Sequence, residues 1–535
     1  MSTHPPDGSI VERSRTASTP HADMCHQEAP QMTQADLATR PFGAVGALWA
    51  AKARNPVGND ALAALLVTSV SFTLMACLPA LRHWFMLPTT ITGVLIGAEA
   101  IRWFRRATDV FEPRACAGLI GLQFLYVAPI LQVALDEWAP RIYDPPVWPD
   151  ALGVLGILNV AGVALYRVVV ARPRRSRNRP PQYRPMHMPT FYLAGVSLVL
   201  LSIAAMAYEI TLFGGLKGFV DAMADEVNRI DDMTGMGPLV VLSEAFPSVI
   251  FTLILVRWRK VLARRVVLLV LLILALTVSQ FFIGGLKGSR SSTLWPLLLA
   301  LVLVNVLIRP VPRKVLALVA VVTFAFLYLY AFYKLGGMEA VDELRQGGSV
   351  QSVEEDTGRD LPLLLTADLG RADIQSVILD RYLDDRFEPV LGKTYAHAWF
   401  MFIPNDFFPD VPIGKVDVGS RILYNPLYEE GEGKSSKIYG MTGEGIINFG
   451  LVGGLLSFVA FGLAIRAVQS YYVTAVGSPE LSPKLVAPMV WVMVTTQSSD
   501  LDNILFCMCK YALPMILLVW LARQFSHHTK RSLPA

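Results

Sequence analysis

Residues 266–283 have the sequence VVLLVLLILALTVSQFFI, which contains no charged side chain. A helix of about 20 apolar residues is long enough to cross the hydrocarbon core of a bilayer. Similar segments recur along the chain of 535 residues, of which 53% are hydrophobic and 17% are charged. An ordinary soluble domain carries about 25% charged residues. The sequence therefore predicts an all-α, polytopic integral membrane protein.

The hydrophobic segments predict about twelve transmembrane helices. The second, eighth and eleventh are short, which leaves the number open by one or two. The predicted helices cover residues 61–81, 85–101, 115–135, 151–171, 191–210, 238–256, 266–283, 293–308, 315–334, 443–465, 486–499 and 504–522.

These helices divide the chain into five parts. Residues 1–45 are rich in Ser, Thr, Pro, His and Gln and lack the apolar core of a signal peptide, so we expect a disordered cytoplasmic tail. The other parts are 46–335 with helices 1–9, 336–442 as one large extracytoplasmic loop, 443–522 with helices 10–12, and a cytoplasmic tail, 523–535.

Basic residues predict the orientation in the membrane. In the connections after helices 2, 4, 6, 8 and 10 and at the C-terminus we count 23 Lys and Arg, against six in the opposite short connections. Cytoplasmic connections carry the excess of Lys and Arg. Both termini are therefore expected in the cytoplasm, and the net charge of +4 reflects orientation rather than nucleic-acid binding. The arginine-rich stretch 171–184 suits anionic membrane lipids.

The five cysteines predict neither a disulfide framework nor a metal site. Cys507 and Cys509 are separated by one residue in an apolar context, which does not fit the spacing of zinc ligands. We therefore expect no metal and no cofactor.

The predicted loop 336–442 is too aromatic and too periodic for a disordered segment. Residues 368–383 form an amphipathic pattern with Ile374, Val377, Ile378 and Tyr382 on one side, which predicts a helix. The turn-rich part that follows leads directly to Glu444, at the start of predicted helix 10. A lone carboxylate beside a membrane helix indicates a site at the membrane surface.

A short motif occurs twice, as Gly214-Gly215-Leu216-Lys217-Gly218 and Gly284-Gly285-Leu286-Lys287-Gly288. Glycine ends of helices and lysines that reach the interface explain part of this similarity. The second copy continues into Ser289-Arg290-Ser291-Ser292, which adds a cation and hydroxyls. Such a turn before a helix suits an anion.

The order of these features resembles a known family. The Gly288–Ser291 turn precedes an apolar helix and a large loop, which contains Ile403-Pro404 and Phe408-Pro409. Gly443-Glu444-Gly445 and Asn448-Phe449-Gly450 follow. This order is similar to that of the oligosaccharide repeat-unit polymerases, the O-antigen polymerase (Wzy-type) family. The resemblance covers about residues 265–465, and the earlier part resembles the family by topology alone.

The resemblance implies a GT-C-like fold in the bacterial inner membrane. It also implies that undecaprenyl-pyrophosphate-linked oligosaccharides are polymerised at the outer face of that membrane. A chain-length regulator and a flippase of the same pathway are further partners that it suggests. Two alternatives remain open: an O-antigen ligase, and a flippase or transporter. Transporters often have inverted repeats and broken helices, and the sequence gives no sign of either.

The family's functional positions correspond to Arg290, Glu444 and Gly450 in this sequence. Ten residues separate Arg381 from Gly392, which matches an arginine-glycine spacing found in some members. The sequence departs from the family at Pro404-Asn405, where an arginine is common. An anion contact at this position is then either lost or supplied by Arg421 or Lys415.

The residue types agree with transfer from a sugar pyrophosphate. Arg290, Lys287 and a loop arginine can stabilise the departing pyrophosphate, and Glu444 and His397 are candidate proton acceptors. The predicted pyrophosphate- and substrate-binding residues are Lys217, Lys287, Arg290, Arg371, Arg381 and Arg421.

Purely structural roles remain open for the same residues. Glu444 can cap predicted helix 10, and His397 can be a packed interface residue. Arg371 and Arg381 can form ion pairs with Asp373 and Asp380. The alternative for Arg290 is a side chain that only extends to the membrane interface.

Five further charges lie in or near predicted helices, where ionisable groups usually mark a pathway or a pair. Lys510 is expected to pair with Glu244 or with Asp500. The five residues are Glu209, Glu244, Asp500, Asp502 and Lys510.

Overall fold

The structure is a computed structural model that describes residues 56–106, 108–138, 148–172, 183, 185–219, 237–285, 287, 289–357, 360–400, 411–424 and 437–525. Several predicted features lie outside these residues: the tail 1–45, most of 171–184, Gly288, residues 403–409 and the end of the tail 523–535. In the described residues the regular structure is entirely helical, which confirms the predicted all-α class.

We number the principal helices in chain order. They are α1 (Pro56–Cys77), α2 (Met86–Phe104), α3 (Pro113–Ala134), α4 (Trp148–Ala171), α5 (Met188–Leu212), α6 (Gly237–Arg257), α7 (Val266–Gly285), α8 (Arg290–Leu307), α9 (Arg313–Arg345), α10 (Val350–Thr357), α11 (Ala372–Leu383), α12 (Lys393–Phe400), α13 (Lys415–Tyr424), α14 (Gly440–Gly477), α15 (Leu481–Trp491) and α16 (Leu501–Gln524).

Ten of these helices are long and apolar enough to cross a membrane: α1, α3–α9, α14 and α16. The other two predicted segments are also helical. The segment 85–101 is α2, which carries Glu99 and Arg102. The segment 486–499 is α15 with only 11 residues, continued by the 3-10 helix Val492–Ser498. The composition and length of the helices thus agree with a multi-pass membrane protein.

α4 packs against α2, α11 and α14. It also contributes Leu152, Leu155 and Leu158 to a buried hydrophobic cluster. α15 packs against α8 and α14, while α16 packs against α5 and α15. These contacts bring the last third of the chain against helices from its first half.

The segment predicted as one loop, 336–442, is largely helical in its described part. α9 continues to Arg345, so residues 336–345 extend the preceding helix. The predicted amphipathic helix is α11, with Val377 and Ile378 only 2% and 0% exposed. Ile446 and Ile447 of α14 belong to the same hydrophobic cluster. The loop therefore packs into the helix bundle and approaches α14 directly.

Three helical segments are interrupted, which the sequence did not indicate. α6 breaks between Ser243 and Phe246. α14 contains two residues with non-helical backbone angles, and Ser499 and Asp500 separate the 3-10 helix from α16. Such breaks expose backbone groups that need partners from the rest of the protein.

Candidate functional site

α14 folds back on itself at Phe449 and Gly450. Phe449 has φ −142° and ψ 20°, and Gly450 has φ 63° and ψ −151°. Eight residues of straight helix rise by about 12 Å, yet a Cβ on Gly445 would lie 2.6 Å from the carbonyl oxygen of Gly453. Residues 440–448 therefore form a short helix that lies against the start of the longer part of α14. The absence of side chains at Gly445 and Gly453 permits this approach.

The loop fixes the fold-back through its backbone. The N–H of Val390 donates to the carbonyl of Ile447 at 3.0 Å, and the N–H of Leu391 donates to that of Asn448 at 2.9 Å. These two carbonyls face the break in α14 and would otherwise lack helical partners. The loop between α11 and α12 is thus part of the structure that shapes the site.

Glu444 lies on the short arm of α14 and is 2% exposed. Its Oε2 accepts a hydrogen bond from the N–H of Leu501, at 2.7 Å. Leu501 is the first residue of α16, so Glu444 caps a helix, although not predicted helix 10. The helix it caps is α16 rather than its own, because the fold-back carries Glu444 to the break at Ser499 and Asp500.

Two polar side chains hold Glu444 from the other side. Thr394 Oγ1 of α12 donates to Glu444 Oε1 at 3.3 Å. Asn448 Nδ2 donates to Thr394 Oγ1 at 2.6 Å and to the carbonyl of Glu444 at 2.8 Å. Both oxygens of the carboxylate are therefore oriented by partners.

Lys415 of α13 reaches the same break and is 3% exposed. Its Nζ lies 2.5 Å from Asp500 Oδ2 and 2.8 Å from Asp502 Oδ1. Burial lowers the pKa of Lys415, but the carboxylates of Asp500 and Asp502 outweigh it, so that the pKa is raised and the ammonium form is favoured. The Oδ1 atom of Asp500 has no hydrogen-bond partner in the described part of the chain.

Arg290, the first residue of α8, forms a two-point ion pair with Asp368 of the loop. Its Nη1 donates to Asp368 Oδ2 at 2.6 Å, and its Nη2 donates to Oδ1 at 3.1 Å. Both side chains are partly accessible, at 22% and 19%. Arg290 therefore contacts the loop rather than only extending to the membrane interface, and its fork matches the geometry of a carboxylate or phosphate.

Arg371 lies between this pair and the break before α16. It donates to the backbone carbonyls of Ala367, at 2.6 Å, and of Gly370 rather than to the carboxylate of Asp373. Burial lowers the pKa of Arg371, and nearby carboxylates, foremost that of Asp500, oppose this shift. Its Nε has no hydrogen-bond partner among the described residues.

These residues form one continuous group that connects the loop with α8, α14 and α16, which we call the charge cluster. It combines cations with a fork or ammonium geometry suited to phosphate oxygens and a carboxylate held in a defined orientation. Its members are Arg290, Asp368, Arg371, Lys415, Glu444, Asp500 and Asp502.

A second group, which we call the buried quartet, consists of Glu209, Glu244, Lys287 and Lys510. Lys287 forms an ion pair with Glu209 and lies 3.5 Å from Glu244 Oε1. Lys510 pairs with Glu244 and donates to Ser292 Oγ at 2.9 Å. Of the two partners predicted for Lys510, the structure selects Glu244. Lys287, a predicted pyrophosphate ligand, is thus already neutralised inside the bundle.

The other predicted site residues have different contacts or are exposed. His397 Nδ1 contacts the carbonyl of Pro412 at 2.8 Å. Arg381 is 4% exposed and donates to the carbonyl of Ile422, which links α11 to α13. Arg421 and Lys217 are exposed. The structure therefore brings together Arg290, Arg371 and Glu444 of the predicted set.

Sequence reasoning gave no specific role to Asp368, Thr394 or Asn448. Lys415 was considered only as a substitute for a missing arginine, and Asp500 only as a buried charge. The sequence Ser499-Asp500-Leu501-Asp502 carried a usable signal, because two carboxylates two residues apart between apolar segments suggest a helix start with a partner. Its partner, Lys415, is 85 residues away in the chain.

The fold and the site define a multi-pass helical protein whose charge cluster connects a packed loop with the helix bundle. Comparisons with models of protein families, with curated proteins and with solved structures found no match to this chain.

Proposed function

We propose that the protein is a membrane glycosyltransferase that polymerises undecaprenyl-pyrophosphate-linked oligosaccharide repeat units at the outer face of the bacterial inner membrane. The observation that supports this most is the charge cluster, which joins three cations to an oriented carboxylate where the loop packs against the helix bundle. The sequence resemblance supplies the substrate class.

The proposed reaction transfers a glycan from one lipid to another. A hydroxyl oxygen of the acceptor repeat unit attacks the anomeric carbon of the donor sugar. The bond from that carbon to the pyrophosphate oxygen breaks, and its electron pair leaves with the lipid pyrophosphate. The hydroxyl proton passes to a carboxylate, for which Glu444 is the candidate.

Arg290 is the proposed contact to the pyrophosphate. Both terminal nitrogens of its guanidinium donate to Asp368, so a phosphate must displace this carboxylate to accept the same two hydrogen bonds. Arg371 lies close to the same place and has an unused Nε donor in the described part of the structure. Preorganised donors of this kind stabilise charge that develops on a leaving group.

A transporter or flippase is the second candidate, and the interrupted helices favour it. α6 is broken beside Glu244, and the break before α16 carries Asp500, which is 0% exposed. Broken helices with charged groups are common at transporter binding sites. An O-antigen ligase remains an alternative to the polymerase within the same reaction class.

Sealed vesicles containing the protein distinguish the two classes. Lipid-pyrophosphate-linked repeat units are added, and glycan length and lipid movement across the vesicle membrane are measured in the same sample. The proposal predicts longer glycans without ATP or nucleotide sugar. Movement of the lipids without chain growth would favour the transporter, and transfer to a different acceptor without chain growth would favour the ligase.

A further inference from the structure

The connection between α6 and α7 carries a dense group of exposed cations. The sequence contains no Asp or Glu between residues 245 and 338. None of the five cations forms an ion pair or side-chain hydrogen bond with the part of the chain that the structure describes. The five residues, which we call the basic connection, are Arg257, Arg259, Lys260, Arg264 and Arg265.

An apolar groove lies directly beside the basic connection. Its volume is about 340 Å³, within the range of about 300–1,000 Å³ that is typical of small-molecule sites. Trp258, at 50% exposure, lines the groove and lies between Arg257 and Arg259 in the sequence. The groove is lined by Ile254, Trp258, Val261, Leu262, Leu268 and Leu272.

Another cation adds to the positive charge of this surface. Burial lowers the pKa of Lys484 in α15, and the proximity of Arg259 lowers it further. Arg259 therefore lies near both the groove and a second basic element. The five cations of the basic connection, which form no ion pair with the described part of the chain, attract an anion, and basic pockets between membrane helices bind acidic head groups.

We propose that this site binds one anionic phospholipid, with an acyl chain in the groove and its phosphate against the basic connection. The amphipathic indole of Trp258 suits the boundary between chain and head group. Charge complementarity favours an anionic over a zwitterionic lipid, since the uncompensated cations give no advantage to a neutral head group. The site is distinct from the charge cluster, whose residues it does not share.

Native mass spectrometry of the purified full-length protein tests this proposal. The protein is equilibrated with phosphatidylglycerol or with phosphatidylcholine, and retained lipids are counted. We expect one retained phosphatidylglycerol under conditions that remove phosphatidylcholine. Arg259→Gln with Lys260→Gln should weaken phosphatidylglycerol binding about 30-fold, the effect of two basic residues near a head group.

The matched control is Arg309→Gln with Lys314→Gln, which removes two exposed cations from another short connection, whose residues do not line the groove. This control should bind phosphatidylglycerol like the wild type. Val261→Trp keeps every cation but fills the groove and should also lose the lipid. Leu268→Trp serves the same purpose if Val261→Trp does not fold, since both residues are exposed, at 43% and 41%.

Three results would overturn the proposal. The first is equal loss of lipid in the charge variant and its control, which would indicate only a general surface effect. The second is unchanged lipid binding when the groove is filled. The third is displacement of the lipid by inorganic phosphate alone, which would mean that the cations bind a free anion and that the groove is not involved.

Discussion

The carboxylate of Glu444 caps the helix that begins at Leu501, through a 2.7 Å hydrogen bond from the Leu501 N–H. The two residues belong to different helices and are 57 positions apart in the chain. Their contact depends on the fold-back of α14 at Gly450 and on the break at Asp500. A capping carboxylate and a candidate proton acceptor are therefore the same group, and substitutions must separate the two roles.

Replacement of Glu444 by glutamine separates capping from proton transfer. The glutamine amide oxygen can still accept from Leu501, so Glu444→Gln should fold like the wild type but lose glycan elongation by about 10²–10⁴-fold. Glu444→Ala should in addition lose about 0.5–2 kcal/mol of stability, since the cap is removed. Thermal unfolding and elongation are measured on both variants. Wild-type elongation by Glu444→Gln would contradict a role in proton transfer and would show that Glu444 acts only as a helix cap.

Substitutions of Arg290 separate the effect of its positive charge from the effect of its two parallel hydrogen bonds. Arg290→Lys keeps the charge but cannot form two parallel hydrogen bonds to a phosphate. Elongation should fall by about 10²–10³-fold in Arg290→Lys, the cost of losing one preorganised donor, and essentially to zero in Arg290→Ala. Lys217→Ala, in the similar but exposed turn, is the control and should remain active. If both Arg290 variants elongate normally while their membrane levels are unchanged, Arg290 serves only to anchor the loop through Asp368.

Substitution of Gly450 tests whether α14 folds back at this residue. A Cβ at this position would collide with the hydroxyl group of Tyr382, and its backbone angles are ones that only glycine adopts readily, at a cost of about 1–3 kcal/mol for other residues. Gly450→Ala should therefore lower the thermal unfolding temperature and abolish elongation. Gly477→Ala, in the same helix, is the control because nothing lies within 4 Å of its Cβ. Equal stability of the two variants would contradict the bent form of α14.

Lys415 tests the ion pairs at the break before α16. Lys415→Met leaves Asp500 buried without its partner and should destabilise the protein by about 3–5 kcal/mol. Adding Asp500→Asn should recover part of this loss, because the uncompensated charge is removed. Lys393→Met, an exposed lysine of the same loop, should have little effect. Independent, additive effects of the Lys415 and Asp500 substitutions would contradict the pair.

The raised pKa of Lys415 also fixes the direction of its pH dependence. A lysine whose folded pKa lies above its usual value of 10.5 contributes stability that is fully present below that value. The contribution is lost only as the pH rises through the higher, folded pKa. The difference in stability between the wild type and Lys415→Met should therefore shrink only in strongly alkaline solution.

The distribution of basic residues makes a separate prediction about sidedness. A reporter fused after Arg177 or Arg313 should be cytoplasmic, and a reporter inserted between residues 347 and 359 should be external. A cytoplasmic position for the latter would remove the charge cluster from the face where lipid-linked glycans would be joined. Protease protection in intact and opened cells measures both positions.

The general architecture followed from the sequence because it depends on local composition. An apolar run such as 266–283 predicts a membrane helix whatever its neighbours, and the spacing of Val377 and Ile378 predicts the buried side of α11. The fold-back of α14 was not predictable in this way. Gly450 lies within an apolar run, where a glycine in an ordinary helix and a glycine with positive φ have the same appearance.

The composition of the charge cluster was only partly predictable, because ion pairs join distant parts of the chain. The ion pair with Asp373 was one possibility for Arg371, but its side chain donates to the backbone carbonyls of Ala367 and Gly370 instead. Lys287 was expected to face the substrate because of the cations and hydroxyls that follow it. It instead pairs with Glu209, 78 residues earlier, inside the bundle.

The central claim is that the charge cluster extends lipid-linked glycans, and one assay addresses it directly. Purified protein in detergent is given lipid-pyrophosphate-linked repeat units without ATP or nucleotide sugar, and the lengths of the glycans are measured for the wild type and for Glu444→Gln. The proposal predicts a ladder of longer glycans with the wild type and none with the folded variant. Unchanged glycan lengths with wild-type protein, or equal ladders from both proteins, would contradict it.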